Sequence, residues 1–206
     1  GTSLEQLEEE LKDKMKKLYL PQPDEKTGII PQFDGYFDLK EIDLSVYKNA
    51  SVVGTIFHDY SGEDVQGMQA GKQADIVELL YQMEDITTPD NKAKNYVYYE
   101  ARTLHDSSLS KAIHSITACD LGMEKEAYEM FMSAALTDLG QEMKSSDAGI
   151  HSANMGGVWQ DVVMGFGGIR IRDGHLRIAP NCPKQWEKFT YPIYWKGNKL
   201  DVTVCK

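Results

Sequence analysis

The sequence predicts a mainly α-helical body followed by a short antiparallel β unit, and three observations predict it. Apolar residues recur at helical spacing in most segments up to residue 166. Beyond Gly168 the period falls to two. The two alternating runs are each broken by turn residues, Asp173-Gly174 in "IRIRDGHLRI" and Lys196-Gly197-Asn198 in "YPIYWKGNKLDVTV".

Each element has its own signal. Ser3 with Gln6 fits a capping box, and Leu4, Leu7, Leu11, Met15 and Leu18 form one apolar stripe of a first helix reaching Tyr19. Residues 19–39 are rich in proline, glycine and aspartate and predict an ordered irregular loop. Its aromatics Phe33, Tyr36 and Phe37 are costly to expose, so the loop is expected to lie against the body. A short helix follows around 42–49. A longer one runs from about Gln73 to Met83, with Ile76, Val77, Leu79 and Leu80 apolar, and another covers 90–101. Helices at 108–121 and 123–139 are each stopped by a glycine, Gly122 and Gly140.

The last helix, 151–166, raises a question. The stretch "DAGIHSANMGGVWQDVVMGFGG" (147–168) has helical periodicity but carries six glycines. Each glycine inside a helix costs about 1 kcal/mol relative to alanine. The reading here is that Gly149, Gly156 and Gly157 let this helix approach its neighbours and a ligand without intervening Cβ atoms. The expected division is a helical domain over 1–167 and a β domain over 168–206, with no internal repeat.

Bulk properties narrow the function. At 206 residues, with 41% hydrophobic and 26% charged residues, the chain is an ordinary globular one able to bury a core. A net charge of −10 argues against nucleic-acid and anionic-membrane partners. Any phosphate must then be held by a local cluster working against the global field. Three unpatterned cysteines, Cys119, Cys182 and Cys205, favour a reducing compartment, and Cys119 reads as a small buried residue. No secretory signal pattern or long apolar run is present, so a cytoplasmic protein is expected.

Three polar clusters share a position. "GKQAD" (71–75), "TLHDSSLS" (103–110) and "DAGIH" (147–151) each open an alternate helix. If helices alternate inner and outer about an axis, all three fall at one end of the inner ring. That rim, with its unpaired N–H groups and positive dipole ends, favours anions. Lys72 supplies a mobile cation, and Gln73 a donor and an acceptor suited to a sugar hydroxyl. Ser107, Ser108 and His151 supply donors for a phosphate. The plainer readings stand beside these. Ser107, Ser108 and Asp106 are residue types that cap helices, His151 can satisfy a carbonyl, and a lone lysine is commonly a solvated one. A metal set drawn from His105, Asp106, His114 and His151 lacks His-x-x-x-His or Cys-x-x-Cys spacing, and no metal is expected.

The segments "LYLPQPDEKTGIIPQFDGYFDL", "KQADIVELLY", "TLHDSSLSKAIHSI", "DAGIHSANMGGVWQDVVMGFGGIRI" and "DGHLRIAPNCPKQW" resemble glycoside hydrolase family 65. Its members include inverting phosphorylases of maltose, kojibiose, nigerose and trehalose. The resemblance implies the second half of an (α/α)6 toroid followed by a small antiparallel β domain. It implies that Lys72 and Gln73 bind the glucosyl unit and that Ser107, Ser108 and His151 bind phosphate. "QFDGY" (32–36) matches a stretch bordering the acceptor side. Implied partners are an α-linked glucose disaccharide and inorganic phosphate as co-substrate, with no other cofactor and a homodimeric parent.

The family's general acid, a glutamate in a Gly-Pro-Asp-Glu-Tyr-type motif, has no counterpart here. The expectation is therefore a C-terminal portion of a phosphorylase, with no catalytic residue of its own and no activity alone. A hydrolytic member of the same family predicts free glucose instead of sugar phosphate. A non-catalytic carbohydrate-binding or assembly module predicts no phosphate binding at all.

Overall fold

The computed structural model describes residues 3–48, 53–73, 75–140 and 149–206. Helix α1 (Leu4–Lys17) opens with the predicted reciprocal cap: Gln6 N–H donates to Ser3 Oγ, and Ser3 N–H donates to the Gln6 side chain. Its apolar stripe faces outward, with Leu4 85% and Met15 74% exposed. The chain then runs as an irregular loop with one 3-10 turn at Tyr36–Asp38. Asn95 clamps this loop, accepting from Ile30 N–H and donating to the Gly28 carbonyl. Tyr36 is buried as expected, together with Ile29 and Ile30, whereas Phe33 and Phe37 stay nearly half exposed, against expectation.

Helices α2 (Ser45–Lys48) and α3 (Gly62–Gln66) are single turns. The helical body is α4 (Asp75–Gln82), α5 (Pro89–Ala101), α6 (Ser110–Asp120), α7 (Glu124–Ala135) and α8 (Ser152–Gln160). α6 is central, with nine of its eleven residues buried. Several boundaries differ by a residue or more from the sequence expectation, and those of α6 and α7 bear on the site. α6 begins at Ser110, two residues late, because Ser107 bonds its own following turn. α7 ends at Ala135, and residues 136–139 make further turns before Gly140. Gly122, by contrast, ends α6 in the left-handed region (φ 70°), with Met123 N–H bonded to the Ala118 carbonyl.

The predicted last helix is two structures. α8 is regular, but Asp161–Phe166 widens into a π-helical turn. Close approach explains two of its glycines: a Cβ at Gly157 would lie 3.1 Å from Ala112 Cβ, and one at Gly165 would lie 2.8 Å from Asp161 Oδ1 and 3.4 Å from Ile116 Cα. Gly156 faces open space and Gly149 precedes the helix, so the packing argument fails for those two.

The wide turn carries the fully buried Asp161. Ser115 Oγ lies 2.7 Å from both the Ala127 carbonyl and Asp161 Oδ1. The Ser115 hydroxyl is the donor at this junction, shared between the Ala127 carbonyl and the Asp161 carboxyl. Burial pushes the Asp161 carboxyl well above the ordinary range, against the pull of the Ser115 hydrogen bond. Such a group holds a proton in the native state that the unfolded chain releases, so native stability falls as pH rises above the ordinary carboxylate range. Asp161→Asn, which is uncharged, of similar shape and still offers an oxygen to Ser115, should flatten this dependence and hold or raise stability at pH 7. Urea melts across pH 4–8 check it; a substantial loss at pH 7 would show that the ionised carboxylate is needed.

The tail comprises two separate antiparallel hairpins, β1 (Ile169–Arg172) with β2 (His175–Ile178) and β3 (Lys188–Trp195) with β4 (Asn198–Cys205). Arg172 pairs with His175 and Trp195 with Asn198, leaving Asp173-Gly174 and Lys196-Gly197 as two-residue turns with positive φ throughout, the I′ pattern. Trp186 packs the tail onto the body, its ring 5.2–5.5 Å from those of Phe131, Phe166 and Phe189. Buried Arg170 adds a polar weld, reaching Glu84 Oε1 at 3.0 Å and Asp120 Oδ1 at 2.7 Å.

Candidate functional site

The second predicted cluster sits beside the first. Gly71 N–H donates to the Arg102 carbonyl and Leu104 N–H to the Gly71 carbonyl, laying 71–73 along 102–104. Lys72 and Gln73 are exposed there, just ahead of α4. Asp106 Oδ2 accepts the Gly54 N–H at 3.0 Å, tying in the 53–58 segment. Burial raises the Asp106 carboxyl, against the pull of the Gly54 hydrogen bond and the nearby Lys72 charge.

Ser107 and Ser108 occupy the turn before α6 and are half-buried. Ser107 Oγ accepts the Leu109 N–H at 3.3 Å, and its carbonyl accepts the Ser110 N–H at 3.2 Å. Ser107 thus serves locally while keeping its hydroxyl hydrogen. Ser108 lines a cleft of about 420 Å³ between α4, α6 and α8, with Glu78, Ala112, Ala153, Asn154 and Trp159 among its walls.

His151 caps α8, whose first turn supplies Ala153 and Asn154 to that cleft. Its partner is Asp138, which the sequence reading missed. His151 N–H meets Asp138 Oδ2 at 2.9 Å and His151 Nδ1 meets Oδ1 at 2.6 Å. The His151 hydrogen bond holds the Asp138 carboxyl below its ordinary range. With Nδ1 committed to the Asp138 carboxylate, Nε2 is the ring atom left for a further partner. No sequence signal marks Asp138, because it lies thirteen residues away in irregular chain.

The structure therefore brings Ser108 and the start of α8 around one cleft, with Lys72 and Gln73 exposed alongside its loop and outside the cleft's described lining. Asp147 and Ala148 of the third predicted cluster, and Ala74 of the first, lie outside the described residues. Behind the Ser107–Ser108 turn, Glu100, His105, Ser110 and Lys48 form a buried network. His105 Nδ1 is 2.7 Å from Ser110 Oγ, and His105 Nε2 is 2.9 Å from Glu100 Oε2. Burial alone would raise the Glu100 carboxyl, but the His105 hydrogen bond and neighbouring positive charge, Lys48 among it, hold it down to about 2. No helix among the described residues is long and apolar enough to cross a membrane.

Residues 2–160 match the glycosyl hydrolase family 65 central catalytic domain, and 169–206 match that family's C-terminal domain. The chain belongs to glycosyl hydrolase family 65. It is 45% identical over 196 residues to the kojibiose phosphorylase of Halothermothrix orenii, covering 95% of this chain and 25% of that protein. It is 36% identical to the α,α-trehalose phosphorylase of Thermoanaerobacter brockii, covering 92% of this chain and 24% of that one. A putative kojibiose phosphorylase from the human microbiome superposes with a TM-score of 0.85 at 32% identity, covering 100% of this chain and 30% of its own. The chain spans about a quarter of the length of the curated relatives it matches.

Proposed function

We propose that this chain is the C-terminal part of an inverting α-glucosyl disaccharide phosphorylase, carrying the phosphate site and part of the glucosyl site. On this reading residues 1–167 are the second half of an (α/α)6 toroid and 168–206 its β domain. The parent is a cytoplasmic homodimer using phosphate and no further cofactor. The carrying observation is the cleft lined by Ser108 and by the first turn of α8, the helix that His151 precedes.

The chemistry follows from the residues. A phosphate oxygen bonds to the anomeric carbon as the glycosidic C–O bond breaks on the opposite face, and the upstream general acid protonates the departing oxygen. Phosphate replaces the water of a hydrolase, so a second protein carboxylate is not needed. Ser107 and Ser108 hydroxyls and the His151 ring donate to the phosphate, and the N-termini of α6 and α8 add positive potential. Lys72 and Gln73 hold hydroxyls of the glucosyl unit.

The test is a chimera in which this chain replaces the matching quarter of the Halothermothrix orenii kojibiose phosphorylase. With kojibiose and phosphate it should yield glucose 1-phosphate. Free glucose in equal amounts from both halves of the sugar, with no sugar phosphate, would overturn the reading.

A further inference from the structure

We propose that Glu100, His105 and His114 form a binding site for one divalent transition-metal ion of the zinc type, held through Glu100 Oε2 and the two imidazole Nε2 atoms. Ligand atoms of these three residues lie within 4.8 Å of one another. His114 is fully buried, and its Nδ1 sits 3.0 Å from the Ser110 carbonyl. A carbonyl only accepts, so Nδ1 carries the hydrogen and the neutral ring has a bare lone pair on Nε2. That Nε2 has no hydrogen-bond partner and faces Glu100 Oε2 at 3.3 Å. Two acceptors at that distance repel unless a cation lies between them.

The spacing fits a metal. Ligands about 2.0–2.1 Å from a tetrahedral zinc lie roughly 3.3 Å apart. His105 Nε2, at 2.9 Å from the same oxygen, needs to open by only a few tenths of an ångström. The surroundings also have the form that orients ligating histidines, in which the second ring nitrogen is tied to a carbonyl or hydroxyl. One residue, Ser110, does this for both rings, through its carbonyl to His114 and its hydroxyl to His105. His105 reaches the site from a left-handed backbone (φ 57°), a conformation uncommon outside glycine. Lys48 Nζ, 2.6 Å from Glu100 Oε1, fixes the carboxylate so that Oε2 turns to the histidines. It is also the competing cation. The site was illegible from ligand spacing because Glu100 precedes His105 by five residues across a loop, and no metal was expected.

The test uses chelator-treated chain titrated with Zn2+ alone, followed by calorimetry and thermal melts, with X-ray absorption on the zinc-loaded wild type. The proposal expects one ion per chain, a raised melting temperature and a coordination shell with two imidazoles. Affinity should fall at least tenfold in Glu100→Gln and His114→Gln, and rise at least tenfold in Lys48→Met, which removes the competing charge. A purely structural network predicts the opposite for Lys48→Met, a loss of stability with no gain in zinc affinity. No uptake by the folded wild type, or uptake unchanged in Lys48→Met with fewer than two imidazoles bound, overturns the site. These last readouts decide even if the Glu100 and His114 variants do not fold.

Discussion

The chain by itself should produce no detectable glucose 1-phosphate from kojibiose, nigerose, maltose or trehalose in the presence of phosphate. General acid catalysis contributes about 10²–10⁴-fold, and on the function proposed above the residue with that task lies outside this sequence. The loss exceeds that factor, because proximity also fails when part of the sugar site is missing. Coupled assay of the purified chain against the four disaccharides checks it. Clear turnover would place an acid among the carboxylates of this chain, and Glu78 on the cleft wall would be the first to examine.

In the chimera, Ser108→Ala should weaken phosphate use by about 1–3 kcal/mol, the range for losing a hydrogen bond to a charged group, or roughly 5- to 150-fold. His151→Ala should cost at least as much, since it removes a charge-assisted donor and leaves Asp138 facing the anion. Asp138→Asn should act in the same direction through His151. Lys72→Ala should chiefly impair use of the glucosyl donor and leave the phosphate dependence near wild type. Initial rates against phosphate at saturating kojibiose separate these effects. An unchanged phosphate dependence in Ser108→Ala and His151→Ala would remove both from the mechanism.

Local chemistry was legible in the sequence, and tertiary chemistry was not. The Ser3–Gln6 cap, the Gly122 stop and both two-residue hairpin turns depend on a few adjacent residues, and each stands where its residues require. Gly140 misled because a glycine after an apolar run resembles a stop, whereas the helix ends at Ala135 and turns continue to Leu139. The π turn at 161–166 has no periodic signature. It goes with the buried bond between Asp161 and Ser115, forty-six residues away. The apolar stripe of α1 was read correctly as a stripe, but its exposure in this chain is set by what packs on it.

The candidate site divides in the same way. Ser107, Ser108, His151, Lys72 and Gln73 could be proposed from the sequence because helix starts attract recognisable polar clusters. Asp138 was not, although it governs what His151 can donate. The same holds for Glu84, on which Arg170, Arg172 and Arg177 converge from the β tail, each contact at 3.0–3.3 Å. In both cases the partner is an ordinary acidic residue whose role exists only once distant segments meet.

The most direct measurement is a crystal structure of the chain grown or soaked with phosphate. The phosphorylase assignment predicts an anion in hydrogen-bond contact with the Ser108 hydroxyl and the His151 imidazole, at the common end of α6 and α8. A structure with that rim empty at saturating phosphate, or with Ser108 and His151 directed to separate sites, would contradict it.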